Sequence, residues 1–114
     1  LDDIMLLKVG RHLRPRPHFK VILGREDGEN RYLQGYRRDY ASVATKSHPG
    51  PVALIDGPIE SDEDLILAAR LAARYSQGRD APEVEVEICP LGRAAYVLNV
   101  EPLSADDIPK GWYL

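Results

Sequence analysis

The sequence predicts an α+β domain: a mixed, largely antiparallel sheet packed by one long helix, at about residues 61–78, and one short helix. Three observations carry this expectation. After Ser61-Asp-Glu-Asp64, the residues Leu65, Ala68, Ala69, Ala72 and Tyr75 recur at helical spacing. Val84, Val86 and Ile88 alternate with Glu85 and Glu87, which puts apolar side chains on one face of a strand and carboxylates on the other. Val52-Ala-Leu-Ile55, bounded by a Pro-Gly-Pro turn and an Asp-Gly-Pro turn, is short and apolar enough for a buried strand.

The remaining elements follow in chain order. Ile4-Met-Leu-Leu7 is an apolar run that predicts a first strand, closed or extended by Lys8-Val-Gly10. In Arg14-Pro-Arg-Pro-His18 two prolines hold the chain extended and remove amide donors, so an exposed loop is expected, with Arg14, Arg16 and His18 outward. Phe19 to Leu23 alternates as a strand with one fully buried face. The stretch after it is ambiguous. Asp27-Gly28 is a good hairpin turn, yet Asp27 can equally cap a short helix in which Tyr32, Leu33 and Tyr36 share a face. Ala41-Ser-Val-Ala-Thr45 reads as a strand, and the Pro49-Gly50-Pro51 turn leads into the next one.

The long helix has Ser61 as its N-cap, acidic residues where the dipole favours them, and Gly78 as its stop. Leu91-Gly-Arg93 turns the chain into a last strand, Ala95–Val100, and Trp112-Tyr113 are expected to dock on the body.

Length fits one domain, residues 1–114, able to bury roughly 65% of its unfolded surface. No apolar run approaches the ~18 residues of a membrane span. The chain opens at Leu1 without a methionine, which leads us to expect the C-terminal part of a larger protein. One cysteine, Cys89, excludes an intrachain disulfide and a cysteine cluster for zinc, and fits the cytoplasm.

The net charge of −3 conceals an asymmetry. From Lys8 to His48 there are ten Lys/Arg against four Asp/Glu; from Pro49 onward there are five against twelve. A basic half beside an acidic half predicts one polyanion-facing side and one solvating or protein-facing side.

Catalysis finds little support. His12, His18 and His48 lack the spacing of a helical zinc pair, no nucleophile elbow is present, and neither Gly24 nor Gly28 opens a phosphate-binding loop. Asp62-Glu63-Asp64 is explained as helix N-terminal charge. We expect no catalytic residue, no metal and no cofactor in this domain. The arginines are better accounted for by binding. Arg11, Arg14, Arg16, Arg25, Arg37, Arg38 and Lys46 are interleaved with His12, His18, Tyr32, Tyr36 and Tyr40. Guanidinium forks suit phosphates, and rings stack on unpaired bases.

Several blocks then fall in a familiar order: Gly10-Arg-His-Leu13, Gly24-Arg25, Asn30 with Leu33, His48-Pro-Gly-Pro51, and Ser61-x-Glu63-Asp64-Leu65 through Ser76. Together, over roughly residues 6–101, they resemble the NFACT-type RNA-binding domain. The variant is the one at the C-terminus of PP-loop ATPase proteins described as tRNA thiouridylase-like or methyltransferase-like. The resemblance implies the short helix rather than the hairpin. It implies an RNA-binding module, for tRNA, serving a tRNA-modifying transferase whose PP-loop ATPase domain is N-terminal in the parent chain. It also directs attention to Gly24, Arg25, Asn30, Leu33, Pro49 and Gly50, with Leu33 as core. The chain departs from the common form at Glu26 and Leu13, and Glu26 adds a negative charge beside the expected surface.

The expected RNA-binding residues are Arg11, His12, Arg14, Arg16, Arg25, Asn30, Arg37, Arg38, Lys46 and His48. The arginines and the lysine would hold phosphates, while His12, Asn30 and His48 would sit near sugar or base. The rival expectation is a docking module without RNA contact, using the acidic half and Trp112-Tyr113 against the ATPase domain.

Overall fold

The computed structural model describes residues 8–114. Among these residues six strands form one sheet in the order β1-β2-β4-β3-β5-β6. They are β1 (Arg11–Arg16), β2 (Phe19–Leu23), β3 (Ala41–Thr45), β4 (Val52–Asp56), β5 (Val84–Cys89) and β6 (Tyr96–Val100). The expected largely antiparallel sheet is antiparallel at every pairing. Helix α1 (Asp27–Gln34) lies between β2 and β3, and α2 (Asp62–Arg74) between β4 and β5. The short helix therefore forms in place of a hairpin.

Helices α1 and α2 sit on opposite faces. One face presents Leu13, Val21, Leu23, Val43, Ala53, Ile55, Val84, Val86 and Ile88, and α2 closes over it with Leu65, Ala68, Ala69, Leu71 and Ala72. Small side chains let the helix approach the sheet closely, and this is the main core. On the other face Ile22, Val52 and Leu54 meet Leu33 of α1, with Tyr32, Tyr36 and Tyr40 packed around them. The three tyrosines form a half-buried ladder over this second core, with the Tyr32 and Tyr36 hydroxyls 3.0 Å apart. Their rings cover sheet.

Three local expectations are corrected. Arg14-Pro-Arg-Pro is no loop: Arg11 to Arg16 is strand β1, with Leu13 and Pro15 buried and Arg14 and Arg16 exposed. Proline is tolerated because β1 is an edge strand, and the register shifts between Leu13 and Arg16. Lys8 to Gly10 is turn and bend rather than strand, while Ile4–Leu7 falls outside the described residues. Helix α2 ends at Arg74 instead of Gly78, and Ser61 stands at its N-cap position without a side-chain capping bond.

The first turn of α2 is held by Asp64 instead. Its carboxylate, 5% exposed, takes a 2.8 Å bond with His18 Nε2 and accepts the Glu60 amide at 3.0 Å. Burial opposes its ionisation, but His18, the Glu60 amide and Arg16 outweigh burial and hold its pKa below the ordinary value. The C-terminal segment docks on the body as expected. Leu13 bridges to Tyr113, and the Leu114 amide donates to the His12 carbonyl at 3.0 Å.

Candidate nucleic-acid interface

Strand register sorts the expected binding residues between two ends of the sheet. Arg11 pairs with Leu23, Leu23 with Ala53, Ala44 with Val52, and Thr45 with Val86. The start of β1, the end of β2 and the β3–β4 loop therefore share one end. Arg11, His12, Arg25, Asn30, Lys46 and His48 gather there. The opposite end is marked by Arg16 beside Phe19 and Ser42 beside Cys89. Arg16 lies at this second end, and Arg14 points along the edge between the two, its guanidinium donating to the Pro17 carbonyl at 3.2 Å. Helix α1 carries the chain across the sheet, so Arg37 also arrives at the second end. It donates to Cys89 Sγ at 3.1 Å and lies 3.9 Å from Glu87. Arg38 is exposed beside it.

From the first end along β1 and β2, Lys8, Gly10, Arg11, His12, Lys20, Arg25, Tyr113 and Leu114 line a cleft of about 510 Å³, with no acidic residue in its lining among the described residues. The Arg11 guanidinium stacks over the Tyr75 ring at 4.5 Å, and the Tyr75 and Tyr113 hydroxyls are hydrogen-bonded. Burial and the bond to Tyr113 raise the Tyr75 pKa, against an opposing pull from Arg11. The imidazole of His12 lies 3.0 Å, through Nε2, from the Val9 carbonyl. Arg25 is gripped from within: Nε and Nη2 donate to the two Glu29 oxygens at 3.0 and 2.7 Å. Glu29 also accepts the Gly10 and Arg25 amides. Its bond with the Arg25 guanidinium is the main reason its pKa falls to about 2, with burial opposing and the two amides assisting.

A second cleft, of about 250 Å³, adjoins the first through Arg25. It is lined by Gly24, Arg25, Glu26, Asp27, Asn30, Pro49, Gly50, Pro51, Tyr75, Ser76, Gln77 and Arg79. Local chemistry builds its floor. Asn30 Oδ1 accepts the Val52 amide at 3.1 Å, and the Gly24 amide donates to the Val52 carbonyl at 3.0 Å. A Cβ at Gly24 would collide with that Asn30 oxygen. Gly50 lets the Pro-Gly-Pro turn lie against the end of α2, where a Cβ would come within 2.6 Å of Ser76 Cβ, and the Gln77 amide donates to the Pro49 carbonyl. Leu33 is fully buried, as expected of a core position.

His48 belongs to the scaffold of this end as well. Its Nδ1 is 2.8 Å from Ser47 Oγ, its carbonyl accepts Thr45 Oγ1, and its ring leaves no room for a side chain at Gly78. Lys46 forms no ion pair among the described residues. Sequence reasoning passed over Lys8, Lys20, Tyr75 and Arg79 as lining residues. Tyr75 fits a helical core stripe, and Arg79 lies in the acidic half of the chain, so nothing local singled either out.

A family model described as the NFACT protein RNA-binding domain matches residues 10–113. Among solved structures, the C-terminal part of the fibronectin/fibrinogen-binding protein from Streptococcus suis superposes with a TM-score of 0.74 at 25% identity. That match covers 93% of this chain and 49% of the streptococcal one, so the chain spans about half of that relative. No curated protein matches it. The family blocks from Gly10 to Ser76 and the cleft they line thus have one source: the chain belongs to the NFACT RNA-binding domain family.

Proposed function

We propose that this domain holds tRNA for a cytoplasmic PP-loop tRNA-modifying enzyme whose catalytic part lies N-terminal in the same parent protein. One observation carries the reading. Gly24, Arg25, Asn30, Pro49 and Gly50, the positions to which the family resemblance points, line a single cleft. A second, basic cleft adjoins it. In this reading Lys8, Arg11 and Arg25 hold phosphates, Lys46 extends the contact along the same end, and His12, Asn30 and His48 shape the surface near sugar and base. Arg14, Arg16, Arg37 and Arg38 are reached only by an RNA that extends past this end, which a folded tRNA does. The domain supplies binding, and the transferase chemistry and its cofactors belong to the rest of the parent.

The test is fluorescence anisotropy of labelled tRNA with the isolated domain at about 50 and about 200 mM salt. Four phosphate contacts predict an affinity that falls roughly a hundredfold over that range. No binding at the lower salt would overturn the proposal.

The alternative, a docking module without RNA contact, draws on the name of the streptococcal relative, a fibronectin/fibrinogen-binding protein. It also draws on the β5–β6 face, where Glu85, Glu87 and the half-exposed Val97 are left uncovered by either helix. Trp112 and Tyr113, however, are already engaged with this domain's own body. Co-purification with the ATPase part after ribonuclease treatment, abolished by Val97→Asp, would favour docking.

A further inference from the structure

The two adjoining clefts differ in chemistry, and the difference specifies what each can take. The larger one is lined by Lys8 and Arg11, with Arg25, matched to Glu29, and Lys20, 3.8 Å from Asp56, beside them, and no Asp or Glu among the described residues lines it, which suits a phosphate. The smaller one is amphoteric. The Arg25 guanidinium on its rim is matched to Glu29 and also feels Glu26, so the cleft's further charges are Glu26 and Asp27, from the start of α1, and Arg79, from the segment after α2. Glu26, Asp27 and Arg79 are all exposed and form no ion pair among the described residues. A phosphate placed here would face two carboxylates.

A volume of about 250 Å³ suits one flat group, and the floor supplied by Gly24, Pro49, Gly50 and Pro51 carries no bulky side chain. A nucleobase is the flat group an RNA offers. Guanine presents two adjacent N–H donors, N1 and N2, on one edge, and two adjacent acceptors, O6 and N7, on the next. Carboxylate oxygens match the first pair, and an arginine fork matches the second. Adenine and cytosine offer the carboxylates a single amine and uracil a single imide N–H, so guanine alone presents two neighbouring donor nitrogens to Glu26 and Asp27 together with two neighbouring acceptors to Arg79. Resting on the RNA-binding reading above, we infer that the smaller cleft is a specificity pocket for one unpaired guanine. Glu26 and Asp27 read N1–H and N2–H₂, Arg79 reads O6 and N7, and the neighbouring phosphate sits in the basic cleft past Arg25. A base within a duplex cannot enter, so the guanine comes from a loop or a single-stranded end.

The test compares short, unstructured, adenine-rich RNA strands carrying guanine, inosine or adenine at one central position, by anisotropy at fixed low salt. Guanine is expected to bind about tenfold tighter than adenine, with inosine between them because it lacks the N2 amine. The double variant Glu26→Gln/Asp27→Asn should bring the three affinities together while leaving the salt dependence unchanged. Arg79→Gln, which removes the opposite wall, should also reduce the preference. Equal, salt-dependent binding of all three strands by the wild-type domain would overturn the guanine pocket and leave RNA binding standing. A preference that survives both variants would overturn its assignment to this cleft. Failure of the wild-type domain to bind any strand or tRNA would overturn the RNA-binding reading, and the pocket with it.

Discussion

At Gly24 the absence of a side chain decides how three segments meet. Its backbone pairs with Val52, and the Asn30 amide occupies the space where a Cβ would stand. Gly24→Ala should displace Asn30, break its bond to the Val52 amide and cost about 1–3 kcal/mol in urea unfolding. Gly111→Ala, where nothing lies within 4 Å, should be near neutral. Glu29 makes a second prediction at this scale. Its pKa falls from 4.5 in the free side chain to about 2 in the fold. A carboxylate with a depressed folded pKa contributes its full stability above the unfolded value and loses it as pH drops through the folded one. The stability gap between wild type and Glu29→Gln should therefore be constant above pH 5 and close between about pH 4.5 and 2. A gap still open at pH 2 would mean that Glu29 does not act through its charge. Asn30 and Glu29 show how a scaffold residue resembles a ligand-facing one in a sequence. A polar residue beside a glycine looks the same whether it faces a ligand or staples a loop.

Among the elements, α2 was visible from its periodicity, and its burial follows that periodicity: Leu65, Ala68, Ala69 and Ala72 are fully buried against the sheet. Leu65→Ala should leave a cavity in the main core and cost about 2–5 kcal/mol, measured as a shifted urea midpoint at an unchanged slope. Its extent was less visible, because Gly78 is conspicuous as a stop while the helix already ends at Arg74. Strand β1 departs from the expected loop for a physical reason. Pro15 removes one donor, which rules out a central strand, but an edge strand has a side where no donor is required. Whether a strand is an edge is a property of the sheet, so the local sequence around Pro15 could not reveal it. Around Asp27-Gly28 local turn chemistry leans slightly to a hairpin, yet the chain forms helix α1. It is fixed by Leu33 and the tyrosines covering Ile22, Val52 and Leu54.

On the scale of the molecule, the basic and acidic halves of the chain do not become two hemispheres. The strand order interleaves them, and cross-chain pairs such as Arg16 with Asp64, Lys20 with Asp56 and Arg37 with Glu87 offset part of the charge. Lys8 and Arg11 of the basic cleft at the first end form no such pair among the described residues and remain together. On the proposed function, Lys8→Glu with Arg11→Glu should therefore weaken tRNA binding strongly and reduce the salt slope by about 2. Arg37→Glu with Arg38→Glu, at the far end, should have the smaller effect. The opposite ranking, at equal thermal stability of both variants, would move the interface to the Arg37 end of the sheet.

The sequence by itself determined the α+β class, the alternating strand β5, the buried strand β4, helix α2, and membership suggested by an ordered set of short blocks. These are written in periodicity and turn chemistry, which act over a few residues. Tertiary structure alone decided that β1 could be a strand and that Arg37 and Arg38 lie away from Arg11 and Arg25. It also brought Arg79 and Tyr75 to the rim of a cleft begun by Gly24, fifty residues earlier. Those outcomes depend on strand order and on which residues pair across the sheet, and the pairing is chosen by burial of the whole core.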